Sequence, residues 1–356
     1  MTNIEKYQSL LQGEVDGLLL TSRFSRHYAA RFDIAEGVAI ITKAGCRYFT
    51  VSRYIESAQN GIKGFEVIEM NAKNPYNDLL NKAIADFGVK TLGYEEGYLT
   101  VAEFLDYEEN LNAKLVPMHK EIAGFRAVKE DWELDLMRKA QEITDKAFAD
   151  VLPRIKVGMT ELELQAELIY CLYKNGGQGL SFDPIVVSGP NTSLPHGVAC
   201  ERVIQEGDFI TMDFGALYQG YCADMTRTVA VGYATEEMKK VYEIVKAANE
   251  AGRAAIKPGL PMKVFDRAAR KVIEDVCKAD ARVMAEPAPF VRTWDLNDSA
   301  VNIKVALNEH IDGVANNSVD CAVSLKLFHS SVNLLCEVSV VLRNSSSVIF
   351  NSVLCL

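Results

Sequence analysis

Apolar residues fall in short, dense runs along the first third of the chain. Gly17-Leu18-Leu19-Leu20, Val38-Ala39-Ile40-Ile41 and Tyr48-Phe49-Thr50-Val51 have the length and apolar density of strands. Between Tyr76 and Phe87 the pattern changes. Leu79, Leu80, Ala83, Ile84 and Phe87 recur at a helical period. Strand-like and helix-like runs in alternation predict a small α/β domain over residues 1–125. It contains no glycine loop of the phosphate-cradling kind. A substrate-shaping or oligomerisation module is the default reading.

Helical periodicity resumes at residues 129–151, with Leu134, Met137, Ile143 and Ala147 on one face. A loop at Lys156-Val157-Gly158 follows. The next helix opens at Thr160, with Glu163 three positions on as a capping box, and stops before Gly176-Gly177. Glu142-Ile143, Ala147, Ile155-Lys156 and Gly158 recur 101 residues later as Glu243-Ile244, Ala248, Ile256-Lys257 and Gly259. A second helix pair, ending with a helix from about Pro261 to Cys277, follows in the same order. This weak repeat predicts a duplicated half-domain.

Between the two helix pairs lie β-prone runs, Phe209 to Asp213 and Tyr221 to Val229, separated by Gly215 and Gly220. They predict an antiparallel hairpin. A turn centred between Tyr218 and Gln219 sets Asp213 directly opposite Asp224, with Cβ atoms about 4.5–5.5 Å apart. Carboxylates that close repel unless a cation lies between them. Two divalent ions about 3.5–4 Å apart, sharing a carboxylate, would activate a water as nucleophile. Oxygen ligands favour manganese or magnesium, and an added imidazole also admits zinc, cobalt or iron. From spacing alone, two aspartates that merely cap turns fit equally well.

Composition narrows the setting. The chain has 356 residues, 49% hydrophobic and 24% charged, enough for two domains. A net charge of −10 argues against nucleic acid or an anionic membrane as partner. No apolar run reaches the ~18 residues of a membrane span, and Met1-Thr2-Asn3-Ile4-Glu5-Lys6 has no signal-peptide pattern. A cytoplasmic protein is expected. The eight cysteines are scattered without zinc-site spacing, as expected of reduced thiols.

Residues 180–232 closely resemble the pita-bread metallopeptidases, in particular the Xaa-Pro aminopeptidase and prolidase (Xaa-Pro dipeptidase) group. The motifs are Pro195-His196-Gly197, Asp213-Phe214-Gly215 and Tyr221-Cys222-Ala223-Asp224-Met225-Thr226-Arg227-Thr228, matched in order and spacing. Phe125-Arg126 to Ala140 resembles the first linker and helix of that catalytic domain. Residues 1–125 resemble its creatinase-like N-terminal domain. The resemblance covers about residues 1–280 and implies an α+β fold, in which a creatinase-like α/β domain (1–125) precedes a pita-bread catalytic domain of duplicated helix–helix–strand halves (126–280). It implies an enzyme that hydrolyses the bond before proline in Xaa-Pro dipeptides or peptides through a hydroxide bridging two divalent ions, manganese first, with cobalt or zinc as options. Asp213 would hold one metal, Asp224 would bridge both, and His196 would face the substrate, stabilising the transition state or shuttling a proton. Thr226 and Arg227 are read as hairpin framework. Relatives of this group are often dimers, so a homodimer is an option.

The family pattern also requires a glycine-flanked histidine and two later glutamates, one of them usually before Pro-Gly. None is present. His310 and His329 lack flanking glycines, Glu286-Pro287 comes too early and is followed by Ala288, and Glu337 stands alone. No metal ligand is assigned to them. From residue 281 to 356 the composition shifts, with no tyrosine against 14 in the whole chain, one glycine, and 10 serines against 8 in the preceding 280 residues. This atypical tail is read as foreign to the domain, as a reading-frame shift would produce, leaving the second half incomplete. Two ligands hold two metals poorly, and missing strands would leave the hairpin with an exposed edge. The alternative is therefore a catalytically impaired pita-bread protein or binding module. A metal-free hydrolase of the creatinase type is disfavoured, because it has no reason to oppose two carboxylates.

Overall fold

The computed structural model describes residues 1–279 and 349–350. The chain divides into two compact units, Met1–Val128 and Lys129–Leu356.

The first unit is built on six strands: β1 (Gly17–Leu20), β2 (Val38–Thr42), β3 (Cys46–Val51), β4 (Glu66–Met70), β5 (Thr91–Tyr94) and β6 (Lys114–Pro117). Their order is β4-β3-β2-β1-β5-β6. β1, β2 and β3 pair antiparallel, whereas β4, β5 and β6 join in parallel. All of β1 and β2 is buried, which is why their sequences run apolar without alternation. Six helices connect and cover the strands: α1 (Asn3–Ser9), α2 (Arg23–Ala30), α3 (Ser52–Gly61), α4 (Tyr76–Phe87), α5 (Val101–Asn110) and α6 (His119–Gly124). α4 has the predicted bounds, and its Leu80, Ala83 and Ile84 pack against Leu19, Ile40 and Phe49. Full burial of a leucine or isoleucine there contributes about 1.5–3 kcal/mol. Tyr7 and Tyr28, both buried, meet edge to face with ring centres 5.8 Å apart.

The second unit begins with α7 (Asp131–Val151) and α8 (Glu161–Lys174). The Thr160–Glu163 capping box forms as the sequence predicts. Then come β7 (Gly179–Leu180), β8 (Ile185–Ser188), β9 (Phe209–Phe214), β10 (Ala216–Tyr218), β11 (Tyr221–Cys222) and β12 (Met225–Ala230). The second helix pair, α9 (Glu236–Ala255) and α10 (Lys263–Ala279), follows in the expected order, and a short strand β13 (Ile349–Phe350) closes the set. One sheet runs β13-β12-β9-β8, and another runs β11-β10-β7. β13 pairs with Thr228 and Val229, so the edge of β12, expected to be open, is paired over those two positions. The other residues of the tail from 281 on, including His310, His329, Glu286 and Glu337, lie outside the described residues.

The core of this unit lies between the helices and one face of the sheet. Ile143, Ala147 and Phe148 of α7, with Leu164 and Leu168 of α8, pack against Val186, Ile210, Met212 and Phe214. Burial alternates along β9, with Ile210, Met212 and Phe214 buried and Phe209, Thr211 and Asp213 only partly so. The sheet therefore turns one face to the helices and offers Asp213 on the other.

Candidate functional site

The hairpin that carries the two aspartates is real, but its register differs from the expected one. Gln219 (φ 46°) and Gly220 (φ 81°) form the turn, both in the left-handed region. That is the type I′ turn favoured by the twist of two-residue hairpins. A turn centred between Tyr218 and Gln219 would instead force the tyrosine into that region. Consequently Tyr218 pairs with Tyr221, Leu217 with Cys222, Phe214 with Met225, and Asp213 with Thr226. Asp213 and Asp224 are not directly opposed, and Thr226 holds the position assigned to Asp224.

The correction moves each partner by two positions, so no side chain changes face. Met225 belongs to the core with Phe214, which puts Thr226 on the face of Asp213, while Asp224 lies just before β12, outside the strand. By register Asp224 is two positions from the residue opposite Asp213, a diagonal relation that spans about 7–8 Å between backbones in a regular hairpin. Asp224 and Thr226 are buried, and the Oδ1 atom of Asp213 is shielded from solvent.

Each long arm of the hairpin breaks where the chain crosses itself closely, at Gly215 and at Ala223-Asp224. A Cβ on Gly215 would lie 1.9 Å from the carbonyl oxygen of Ala223, so only glycine fits there. The hairpin is fastened to α7 at two points. The Tyr221 hydroxyl donates to Glu133 at 2.8 Å, and the Ala216 amide donates to Thr144 Oγ1 at 3.0 Å. Arg227 turns to the core face, with its guanidinium 5.9 Å from the centre of the Phe148 ring, as suits a framework residue.

His196 sits on the loop between β8 and β9 and is exposed. A Cβ on its neighbour Gly197 would come within 2.8 Å of the Val187 side chain. Val187 pairs with Thr211, two residues before Asp213, so the loop rests over the face that carries Asp213. The structure thus lays the His196 loop over the face of the sheet that carries Asp213, while Asp224 falls between β11 and β12.

The surroundings of this loop were not legible in the sequence. Glu161, the first residue of α8, is fully buried. Its carboxylate accepts from the Ser188 amide at 2.6 Å, the Ser188 hydroxyl at 2.8 Å, Asn191 Nδ2 at 3.1 Å and the Cys200 amide at 3.2 Å. Burial pushes this carboxyl up, but the bonds from Ser188, Cys200 and Asn191 outweigh it and hold it below the usual glutamate range. Arg202 donates to the Ser188 hydroxyl and pairs with Asp208 at 2.7 Å, next to the start of β9. The capping box around Thr160 is a local signal, whereas Glu161 finds its partners 27 to 39 residues away.

The donor set matches part of a divalent-ion centre. The carboxylates on the two arms of the hairpin are hard oxygen donors, the type that manganese or magnesium takes. Among the described residues, no group of three or more His, Cys, Asp or Glu is placed to hold a metal. The two aspartates alone do not complete a dinuclear site. No helix among the described residues is long and apolar enough to cross a membrane.

The comparisons agree with this architecture. The profile of Metallopeptidase family M24 matches residues 135–290, and that of the Creatinase/Prolidase N-terminal domain matches residues 4–128. An uncharacterized peptidase of Bacillus subtilis is 37% identical over 273 residues, which is 75% of this chain and 76% of that protein. The structure of an Xaa-Pro dipeptidase from Bacillus anthracis superposes with a TM-score of 0.72 at 37% identity, covering 77% of each chain. That of an X-Pro aminopeptidase from Thermotoga maritima gives 0.72 at 33% identity, covering 78% of each. The chain belongs to the M24 metallopeptidases, the pita-bread Xaa-Pro peptidase family, with a creatinase-type N-terminal domain.

Proposed function

We propose that this chain is a metal-dependent Xaa-Pro peptidase, of the aminopeptidase P or prolidase type, that hydrolyses the bond before proline in dipeptides or short peptides. The observation that supports this reading is the hairpin with Asp213 on one arm and Asp224 at the start of the other, and the His196 loop laid over the face of Asp213. In this reading the two aspartates contribute ligands to divalent ions, manganese first, with cobalt or zinc as alternatives. Bound ions would supply Lewis-acid polarisation and a nucleophile at neutral pH. His196, exposed on its loop, would approach a substrate carbonyl and carry a proton. The proposed setting is the cytoplasm, and the proposed substrates are small proline peptides.

A second reading, an impaired enzyme or binding module, is favoured by one specific observation. No third ligand joins the aspartates among the described residues, and the sequence beyond Cys277 offers no glycine-flanked histidine or Glu-Pro-Gly. Elemental analysis and hydrolysis of Gly-Pro and Ala-Pro peptides with added manganese separate the two. About two ions per chain with cleavage supports the first reading. Substoichiometric metal without cleavage supports the second. Translation of the source nucleotides in other frames beyond Cys277 tests the frame-shift origin of the tail. Both missing motifs should appear in one alternative frame.

A further inference from the structure

The loop from residue 189 to 199 carries His196, and both of its ends meet the same buried carboxylate. At the leading end, Glu161 accepts from the Ser188 amide and hydroxyl and from Asn191 Nδ2. At the trailing end it accepts from the Cys200 amide and thiol, each at 3.2 Å. The backbone of α8 adds to the clasp. The amide of Glu161 donates to the Arg202 carbonyl at 3.1 Å, and that of Leu162 to the Cys200 carbonyl at 3.3 Å. These are first-turn amides, which a helix leaves without partners of its own.

From the clasp inward, the loop is a relay of tight turns. The Leu194 amide donates to the Asn191 carbonyl at 3.0 Å, and the Gly197 amide to the Leu194 carbonyl at 3.1 Å. His196 sits inside the second turn. The residue is exposed, so its place over the sheet depends on where the turns start and end. Ser188 also couples the clasp to the aspartates. Its hydroxyl donates to Glu161 and accepts from Arg202, which pairs with Asp208 at the foot of β9.

We infer that Glu161 is the positioning residue for His196: one buried carboxylate closes both ends of the histidine loop and sets it over the face that holds Asp213. The catalytic part of this inference rests on the peptidase reading, and the structural part does not. Glutamate suits the task because both oxygens are acceptors. Glutamine would keep one acceptor oxygen and set an amide donor against one group of donors.

Glu161→Gln tests the inference in the full chain, by amide hydrogen exchange and by the His196 imidazole NMR signal, assigned through its loss in His196→Asn. Exchange at Ser188 or Cys200 should rise about tenfold, with a shifted or broadened His196 signal and no change across residues 209–214. If the wild-type protein cleaves Ala-Pro peptides, kcat of Glu161→Gln should fall about tenfold or more while bound metal stays constant. If the wild-type protein does not cleave, the peptidase reading fails, and exchange and the imidazole signal still decide the positioning role. Unchanged exchange at both ends of the loop with an unmoved His196 signal overturns the inference. So does a uniform rise that includes residues 209–214, which would mark Glu161 as a general stability residue. An unaltered kcat in an active protein overturns its catalytic part.

Discussion

Glu95 and Glu161 are both shut off from solvent, one in each unit, and the protein treats them in opposite ways. Glu95 accepts from the Thr21 and Ser22 amides, each at 3.1 Å, and from the Ser25 hydroxyl, all at the start of α2. Burial pushes its carboxyl above the usual range, and these bonds with the nearby Arg126 charge recover only part of that cost. Glu161 has donors from two distant loop ends, and they more than offset its burial. A buried acid can therefore serve as a local helix fastener that remains easy to protonate, or as a long-range clasp that holds its charge. The second kind is the one found beside the candidate site.

The comparison is sharpest in the truncations. Glu161→Ala leaves two amides, a carboxamide, a hydroxyl and a thiol without their acceptor, and is expected to destabilise the second unit by about 4 kcal/mol. Glu95→Ala orphans fewer donors and should cost the first unit about 2–3 kcal/mol. Denaturation followed by hydrogen exchange, read unit by unit, measures both. Equal losses would erase the distinction.

The pH dependence should differ in sign. The folded-state pKa of Glu161 is lowered, so the unfolded chain binds its proton more readily. Its stabilisation is full above the ordinary glutamate pKa and is lost as pH falls through the lower folded value. The folded-state pKa of Glu95 is raised, so its contribution is full below the ordinary pKa and is lost as pH rises through the folded value. On acidification through the carboxylate range, Glu161→Gln should flatten a loss of stability in the second unit, while Glu95→Gln should flatten a gain in the first. Parallel slopes would contradict the contrast.

The smallest effect belongs to a solvated carboxylate. Lys146 and Lys139 pair with Glu142 at 2.6 and 2.9 Å and draw its carboxyl down to about 2. The three side chains are about half exposed, so screening should leave Lys146→Ala within about 0.5 kcal/mol of wild type in a thermal melt.

Much of the framework was legible because its signals are local. The runs at Gly17, Val38 and Tyr48 became β1, β2 and β3, the period from Tyr76 to Phe87 became α4, and Thr160 with Glu163 marked the start of α8. The hairpin was legible as a hairpin, but its register depended on which two residues could take positive φ, and Gln219 with Gly220 was not foreseen. The shift is two positions, so the alternation along β9 and β12 is preserved. Glu161 and the Arg202–Asp208 pair were invisible, since their partners meet only after β8, the loop and β9 have folded together.

The proposed function requires Asp213 and Asp224 to act as ligands of divalent ions. Calorimetric titration of the full chain with manganese tests it most directly, with wild type compared against Asp213→Asn and Asp224→Asn. Each substitution is expected to weaken binding about tenfold or more without altering the fold. Wild-type affinity in both variants, or no binding by the wild-type protein at millimolar manganese, would contradict it.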